Sequence, residues 1–191
     1  MTVQPKLTTV AACRVAGLDR DRFNEHVASG AFGCAPKTVP GRARLFEPED
    51  MVALRLFREL LDDGLNAKKA GDIACSVALV AKLHPDEPSI SYVENYFSGG
   101  GAAFPASQVP EASKWDEVLF SGTDIRKVTT FRISKLRELI AHYTEEERAI
   151  IGPNDDPLPD EARILKNRYE YGLITSHEFA EEMSKLIGRD D

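Results

Sequence analysis

The chain has 191 residues, room for one large domain or two small ones, and its 42% apolar content suffices for a packed core. A formal net charge of -7 argues against a nucleic-acid binder unless the charge is unevenly spread, and no run of about 18 apolar residues is present, so no membrane-spanning helix is expected. Cys13, Cys34 and Cys75 are odd in number and far apart, which does not read as a disulfide framework and fits a reducing cytoplasm. The N-terminal MTVQPKLTT has no apolar h-region, so no signal peptide is expected and the chain reads as cytoplasmic.

Thr8 or Thr9 can cap a short helix carrying Val10, Ala11, Cys13 and Val15, and Gly17 can supply the left-handed residue that ends it. A second short helix is expected from about Asp19 to Ala28, with Phe23 and Val27 one turn apart. Two short helices around a glycine turn make a helix-turn-helix, whose second helix presents its N-terminal side chains to base edges. Those side chains are Arg20, Arg22 and Asn24. The stretch from Gly30 to Leu45 holds Lys37, Arg42, Arg44 and two prolines, and reads as a basic hairpin wing. Pro48, Glu49 and Asp50 open a third helix with Met51, Leu54, Phe57 and Leu61 at helical spacing, which Gly64 stops. Asn66 can cap a fourth, with Ala70, Ile73, Val77 and Val80 on one face.

This order of helix-turn-helix, wing and two helices resembles the DNA-binding domain of the mercury-resistance-regulator (MerR) family. The match is best at Arg44-Leu45-Phe46-Glu47-Pro48-Glu49-Asp50-Met51 and extends over roughly the first 80 residues. Glu47 replaces the family's usual Ser or Thr cap, and the wing is longer than usual. The resemblance implies a winged head that binds double-stranded DNA; the alternative is a winged helix used for protein contacts alone. The long dimerising helix that usually follows in that family is absent after His84, where two prolines break the chain.

Division of the charge fits this reading. Met1 to Leu45 holds seven basic residues against three acidic ones, an excess of +4, and the rest of the chain carries -11. Phosphate attraction is a local field effect, so a basic head on an acidic body is compatible with DNA binding.

The middle of the chain reads as a small antiparallel sheet. Ile90–Phe97, Trp115–Phe120 and Val128–Ile133 have strand-like composition, while Ser98–Ala103 and Gly122–Asp124 read as turns. Trp115, Tyr92 and Phe97 either line a sensing pocket or fill a small core, and core packing is the commoner use of aromatics. A helix resumes at Ser134 with Leu136, Leu139, Ile140 and Tyr143 on one face. It restarts at Thr144 and runs to Ile151, either pairing two subunits or packing on the sheet.

After the proline-broken linker at 153–159, Asp160 can cap a helix running to Tyr171, with Gly172 ending it. Thr175 and Glu178 form a capping box for a last helix with Phe179, Met183, Leu186 and Ile187 on its apolar face. Leu165, Gly172, Leu173, Ile174, Thr175, Glu178, Phe179 and Leu186 resemble the short C-terminal (SHOCT) domain, which implies oligomerisation or attachment to a partner.

The sequence therefore predicts an α+β fold, mainly α: a winged helix-turn-helix over 1–84, a small antiparallel sheet plus helix over 89–152, and a helical hairpin over 160–188. Its four histidines are scattered, no metal-ligand spacing occurs, and no catalytic order of Ser, His and Asp stands out. No metal, no cofactor and no enzymatic activity are expected. The expected function is sequence-specific transcriptional regulation by a self-associating chain. Arg20, Arg22 and Asn24 would face bases, and Lys37, Arg42 and Arg44 would face phosphates. The alternatives are a phage-type architectural protein, such as an excisionase or terminase small subunit, and a protein-binding adaptor that works through the C-terminal hairpin.

Overall fold

Thr8 Oγ1 accepts the Ala11 amide at 3.5 Å and opens helix α1 (Thr9–Ala16), which Gly17 closes at φ 74°. Asp19 then accepts the amides of Asp21 and Arg22 at 3.1 and 2.9 Å and starts α2 (Arg20–Ala28). These local rules were readable in the sequence, and the computed structural model follows them. It describes residues 6–37, 44–96, 100–151, 160–170 and 174–187.

Strand β1 (Leu7–Thr8) pairs antiparallel with β2 (Leu45–Phe46), tying the first residues to the entry of α3 (Pro48–Asp62). The centre of the expected wing, 38–43, lies outside the described residues. At its described end, Leu45 and Phe46 pair with β1. The physical reason is Phe46, which is 1% exposed and packs edge-on against Phe23 at 6.0 Å. Asp50 accepts the Glu47 amide at 2.8 Å at the start of α3, and the Asn66 side chain accepts the Lys69 amide at 2.9 Å at the start of α4 (Ala67–Leu83). Phe23, Phe32, Phe46 and Phe57 form the aromatic centre of the head, with Phe32 and Phe57 rings 4.9 Å apart.

Gly71 lies in the middle of α4, where a glycine costs about 1 kcal/mol relative to alanine. Here it admits a backbone: an added Cβ would stand 1.8 Å from the Ala31 carbonyl oxygen. That close approach lays the loop after α2 along α4. Cys75, one turn after Gly71, meets Cys34 with a Cα–Cα distance of 5.6 Å, and the two form a disulfide. This corrects the expectation of unpaired cysteines. Cys34 and Cys75 are 41 residues apart, and only the packing of loop on helix brings them together. Cys13 remains a free, buried thiol.

The central sheet has the order β4-β3-β5, with β3 (Ile90–Asn95) in the middle and both neighbours, β4 (Gly101–Pro105) and β5 (Ile125–Phe131), antiparallel to it. Two expectations are corrected. Trp115–Phe120 is not a strand: it follows a 3-10 turn at Ala112–Lys114, and Phe120 makes an isolated bridge to Thr123. Gly101–Ala103, expected as turn, is strand. Gly101 suits the place because a Cβ there would come within 2.6 Å of Tyr92 Cε1 and of the Val93 carbonyl. Ala102 and Ala103 are small enough for the strand to pass beside α4, and Ser76 Oγ accepts the Ala103 amide at 3.2 Å.

Helix α5 (Ile133–Ile151) runs through Thr144 without a restart. Its Ile133, Leu136 and Ile140 join one core with Ile90 and Tyr92 of the sheet and with Val77 and Phe57 of the head. The sheet and the head thus share a core across the break at His84-Pro85. Ile133, Leu136 and Ile140 of α5 are thus packed within the chain, with Tyr143 partly buried beside them. Arg137 reinforces the junction, donating to the Ala81 carbonyl, the Pro85 carbonyl and Glu49 at 3.0–3.1 Å.

Beyond Glu147 the chain forms a second compact unit, built on α6 (Asp160–Glu170) and α7 (Ser176–Ile187). Its capping box is as expected: the Thr175 amide donates to Glu178 at 2.8 Å and the Glu178 amide to Thr175 Oγ1 at 3.3 Å. Tyr169 stacks on Phe179 at 4.7 Å. Gly172 and Leu173 lie outside the described residues. The fold is mixed α and β, mainly helical, with two small antiparallel sheets among the described residues. Among the described residues no helix is long and apolar enough to cross a membrane.

Candidate nucleic-acid interface

Helix α2 is held by one face. Phe23 is completely buried, His26 packs edge-on against Phe57 at 5.3 Å, and Arg20 and Val27 are half-buried. At 3.6 residues per turn the opposite face is centred on Asp21 and Glu25, both exposed. Arg22 and Asn24 are also exposed but lie on opposite flanks, roughly 160° apart around the axis. Arg20 falls near Asn24, roughly 40° away, and its guanidinium is engaged side-on by Asp21, with both nitrogen–oxygen distances 2.9 Å. The helix therefore brings Arg20 and Asn24 together, sets Arg22 apart, and puts two carboxylates between them.

The short spacing of three residues between α1 and α2 is fixed from α3. Arg58 Nε donates to the Gly17 carbonyl at 2.8 Å, and Arg55 lies 3.5 Å from the Ala16 carbonyl. Both cations satisfy carbonyls at the end of α1 that the helix itself cannot. Sequence reading missed them because their partners are about 40 residues away; their signal was only a basic pair on a helix of otherwise acidic polar face.

Among the wing residues, Lys37 is exposed and Arg42 lies outside the described residues. Arg44 is half-buried. Its guanidinium carbon is 6.0 Å from the centroid of the Phe23 ring, and its buried Nε has no hydrogen-bond partner among the described residues. The stem of Arg44 thus packs on the head, and its Thr9-bonded backbone carbonyl, at 3.5 Å, anchors it further. Two other head cations are already paired. Lys6 pairs with Glu47 at 3.1 Å and holds that carboxyl below the usual carboxylate range, while Arg14 pairs with the nearly buried Glu147 at 2.8 Å.

Of the aromatics expected to line a pocket or fill a core, Tyr92 and Trp115 have different surroundings. Tyr92 is buried against Gly101, and burial together with Glu94 raises its hydroxyl above the ordinary tyrosine value. Trp115 donates Nε1–H to the Pro110 carbonyl at 3.0 Å and lines an open cleft of about 480 Å³ with Tyr96, Asp116, Asp124 and Arg126. Phe97 lies outside the described residues. No group of three or more metal-ligating side chains gathers among the described residues. Neither the protein-family models nor the curated proteins yield a match to this chain.

Proposed function

We propose that the chain is a DNA-binding transcriptional regulator whose α1–α2 pair acts as a helix-turn-helix. The observation that carries the reading is local. A left-handed Gly17 ends α1, Asp19 caps α2 two residues later, and α2 is anchored by Phe23 with its polar face exposed. That is the arrangement a reading helix needs: rigid on one side and open on the other. Arg22 is the base-reading cation, since a bidentate arginine–guanine contact discriminates by about 1–3 kcal/mol. Glu25, exposed beside it, is suited to accept from a cytosine amino group. Lys37, Arg42 and Arg44 supply phosphate contacts, which position without reading sequence.

Binding of selected genomic fragments by the full chain, followed by Arg22→Ala and Arg44→Ala, tests this. Arg22→Ala is expected to relax preference at one base position, and Arg44→Ala to weaken all sequences about equally. A chain that binds no fragment at low salt refutes the proposal.

A second reading has its own support. The centre of the exposed α2 face is Asp21 and Glu25, which suits a basic protein partner better than phosphate. An adaptor of this kind would lose its partner on Glu25→Lys, whereas a DNA reader would gain non-specific affinity from the same change.

A further inference from the structure

The loop after α2 is fastened to the head in two different ways. Its first residues are held by packing: the Ala31 carbonyl rests on Gly71, and Phe32, 2% exposed, lies between Phe23 and Phe57. Of its next residues Gly33, Cys34 and Lys37 are exposed, Ala35 and Pro36 are half-buried with Ala35 against the core, and the covalent tie from this stretch to α4 is the Cys34–Cys75 disulfide. Cys75 is half-buried on the helix and Cys34 lies at an exposed position, so Cys34 is the more accessible partner for an attacking thiolate.

We propose that the Cys34–Cys75 bond is a thiol-exchangeable latch that holds the loop leading to Lys37 against α4 and releases it on reduction. The co-reactant is a low-molecular-weight thiol. Its thiolate attacks Cys34 Sγ, forms a mixed disulfide there, and expels Cys75 as a thiolate that takes up a proton. A second thiol attacks the mixed disulfide, leaves Cys34 as a thiol and departs as the oxidised dimer of the reagent. Two thiols are oxidised and the protein bond gains two electrons and two protons. Cys13 takes no part: burial pushes its thiol up to about 12, so it carries no thiolate near neutrality. Release leaves Ala31 and Phe32 in place and removes the covalent hold on the described stretch that ends at Lys37. Control of DNA affinity by this latch rests on the DNA-binding reading above; the latch itself does not.

The experiment uses the full chain, air-oxidised or treated with millimolar glutathione in native buffer. Alkylation and mass analysis count thiols, brief trypsin treatment reads cleavage after Lys37, and DNA affinity is measured on both forms. Glutathione is expected to reduce the bond without denaturant, with transient glutathione on Cys34 and none on Cys13. Cleavage at Lys37 is expected to rise by about tenfold, because a local tether that suppresses opening has gone. Cys34→Ser, at an exposed position, is expected to be cleaved at the fast rate with or without glutathione. A bond that yields only in denaturant, or equal cleavage of the two forms, overturns the latch. If the latch behaves as expected and neither form binds DNA, the DNA reading fails alone. If both forms bind DNA equally well, control of DNA by the latch is overturned.

Discussion

Gly71 and Ala31 show how much of the structure turns on single residues. Gly71→Ala gains about 1 kcal/mol of helix propensity but places a methyl carbon 1.8 Å from a carbonyl oxygen. A backbone cannot swing aside as a lysine would, so the clash wins. The substitution is expected to cost roughly 2 kcal/mol net, read as a lower urea midpoint at unchanged slope. Cys13 carries a pH effect of opposite origin. Its thiol titrates near 9.0 when exposed and about 12 when folded, so the folded state holds the extra proton between those values. Stability is therefore full below about pH 9 and falls as pH rises toward about 12. A Cys13→Ala chain is expected to lose less stability over that interval in alkaline unfolding titrations. None of this was legible residue by residue. Gly71 falls within the fourth helix that the sequence predicts and carries no local signal of its own, and the three cysteines have no spacing that pairs two of them. Both become meaningful when α4 and the preceding loop touch.

Elements were more legible than their contacts, because caps and periodicity act over three or four residues. The starts of α1, α2, α4 and α7 follow Thr8, Asp19, Asn66 and Thr175, each of which the sequence offered as a cap or first residue. Thr175→Ala is expected to cost about 1 kcal/mol locally, seen as faster hydrogen exchange in the first turn of α7 and little change elsewhere. Glu178 adds a pH signature: the Thr175 amide and hydroxyl hold its carboxyl below the usual range. Its contribution is present above the ordinary carboxylate value and is lost as pH falls through the lowered one, so the α7 start is expected to loosen in acid. The strands were less legible. Composition alone marked Trp115–Phe120, whereas the third strand is the small-residue segment Gly101–Pro105, chosen because it fits between Tyr92 and α4. Local sequence carries β-propensity but not the shape of the surface on which a strand must lie.

At the scale of the molecule, the division into a basic head and an acidic body needs restating once the ion pairs are known. Of the seven basic residues up to Leu45, Lys6, Arg14 and Arg20 already face Glu47, Glu147 and Asp21. The Arg14–Glu147 pair joins α1 to α5, so part of the apparent head charge is spent on holding the acidic body. That leaves Arg22, Lys37, Arg42 and Arg44 as the cations proposed to meet DNA. Pairing between a head cation and an acid beyond Leu45 is invisible in a charge count along the chain, and the pairs of Lys6 with Glu47 and of Arg14 with Glu147 lower the local field that the excess of +4 implies. The consequence is measurable. Each phosphate neutralised contributes about -0.9 to the slope of log affinity against log salt, so the three phosphate contacts proposed for Lys37, Arg42 and Arg44 give a slope of about -2.7 per chain. A slope near twice that value, with binding cooperative in protein, is expected if two chains occupy one site. A slope steeper than about -3 for a single bound chain means that Lys6 or Arg14 leaves its carboxylate for phosphate. Glu147→Gln then decides between them: it frees Arg14 and is expected to steepen the slope by about one contact if Arg14 can reach DNA. A slope near zero removes phosphate from the interface and leaves the exposed Asp21 and Glu25 as the surface a partner protein would meet.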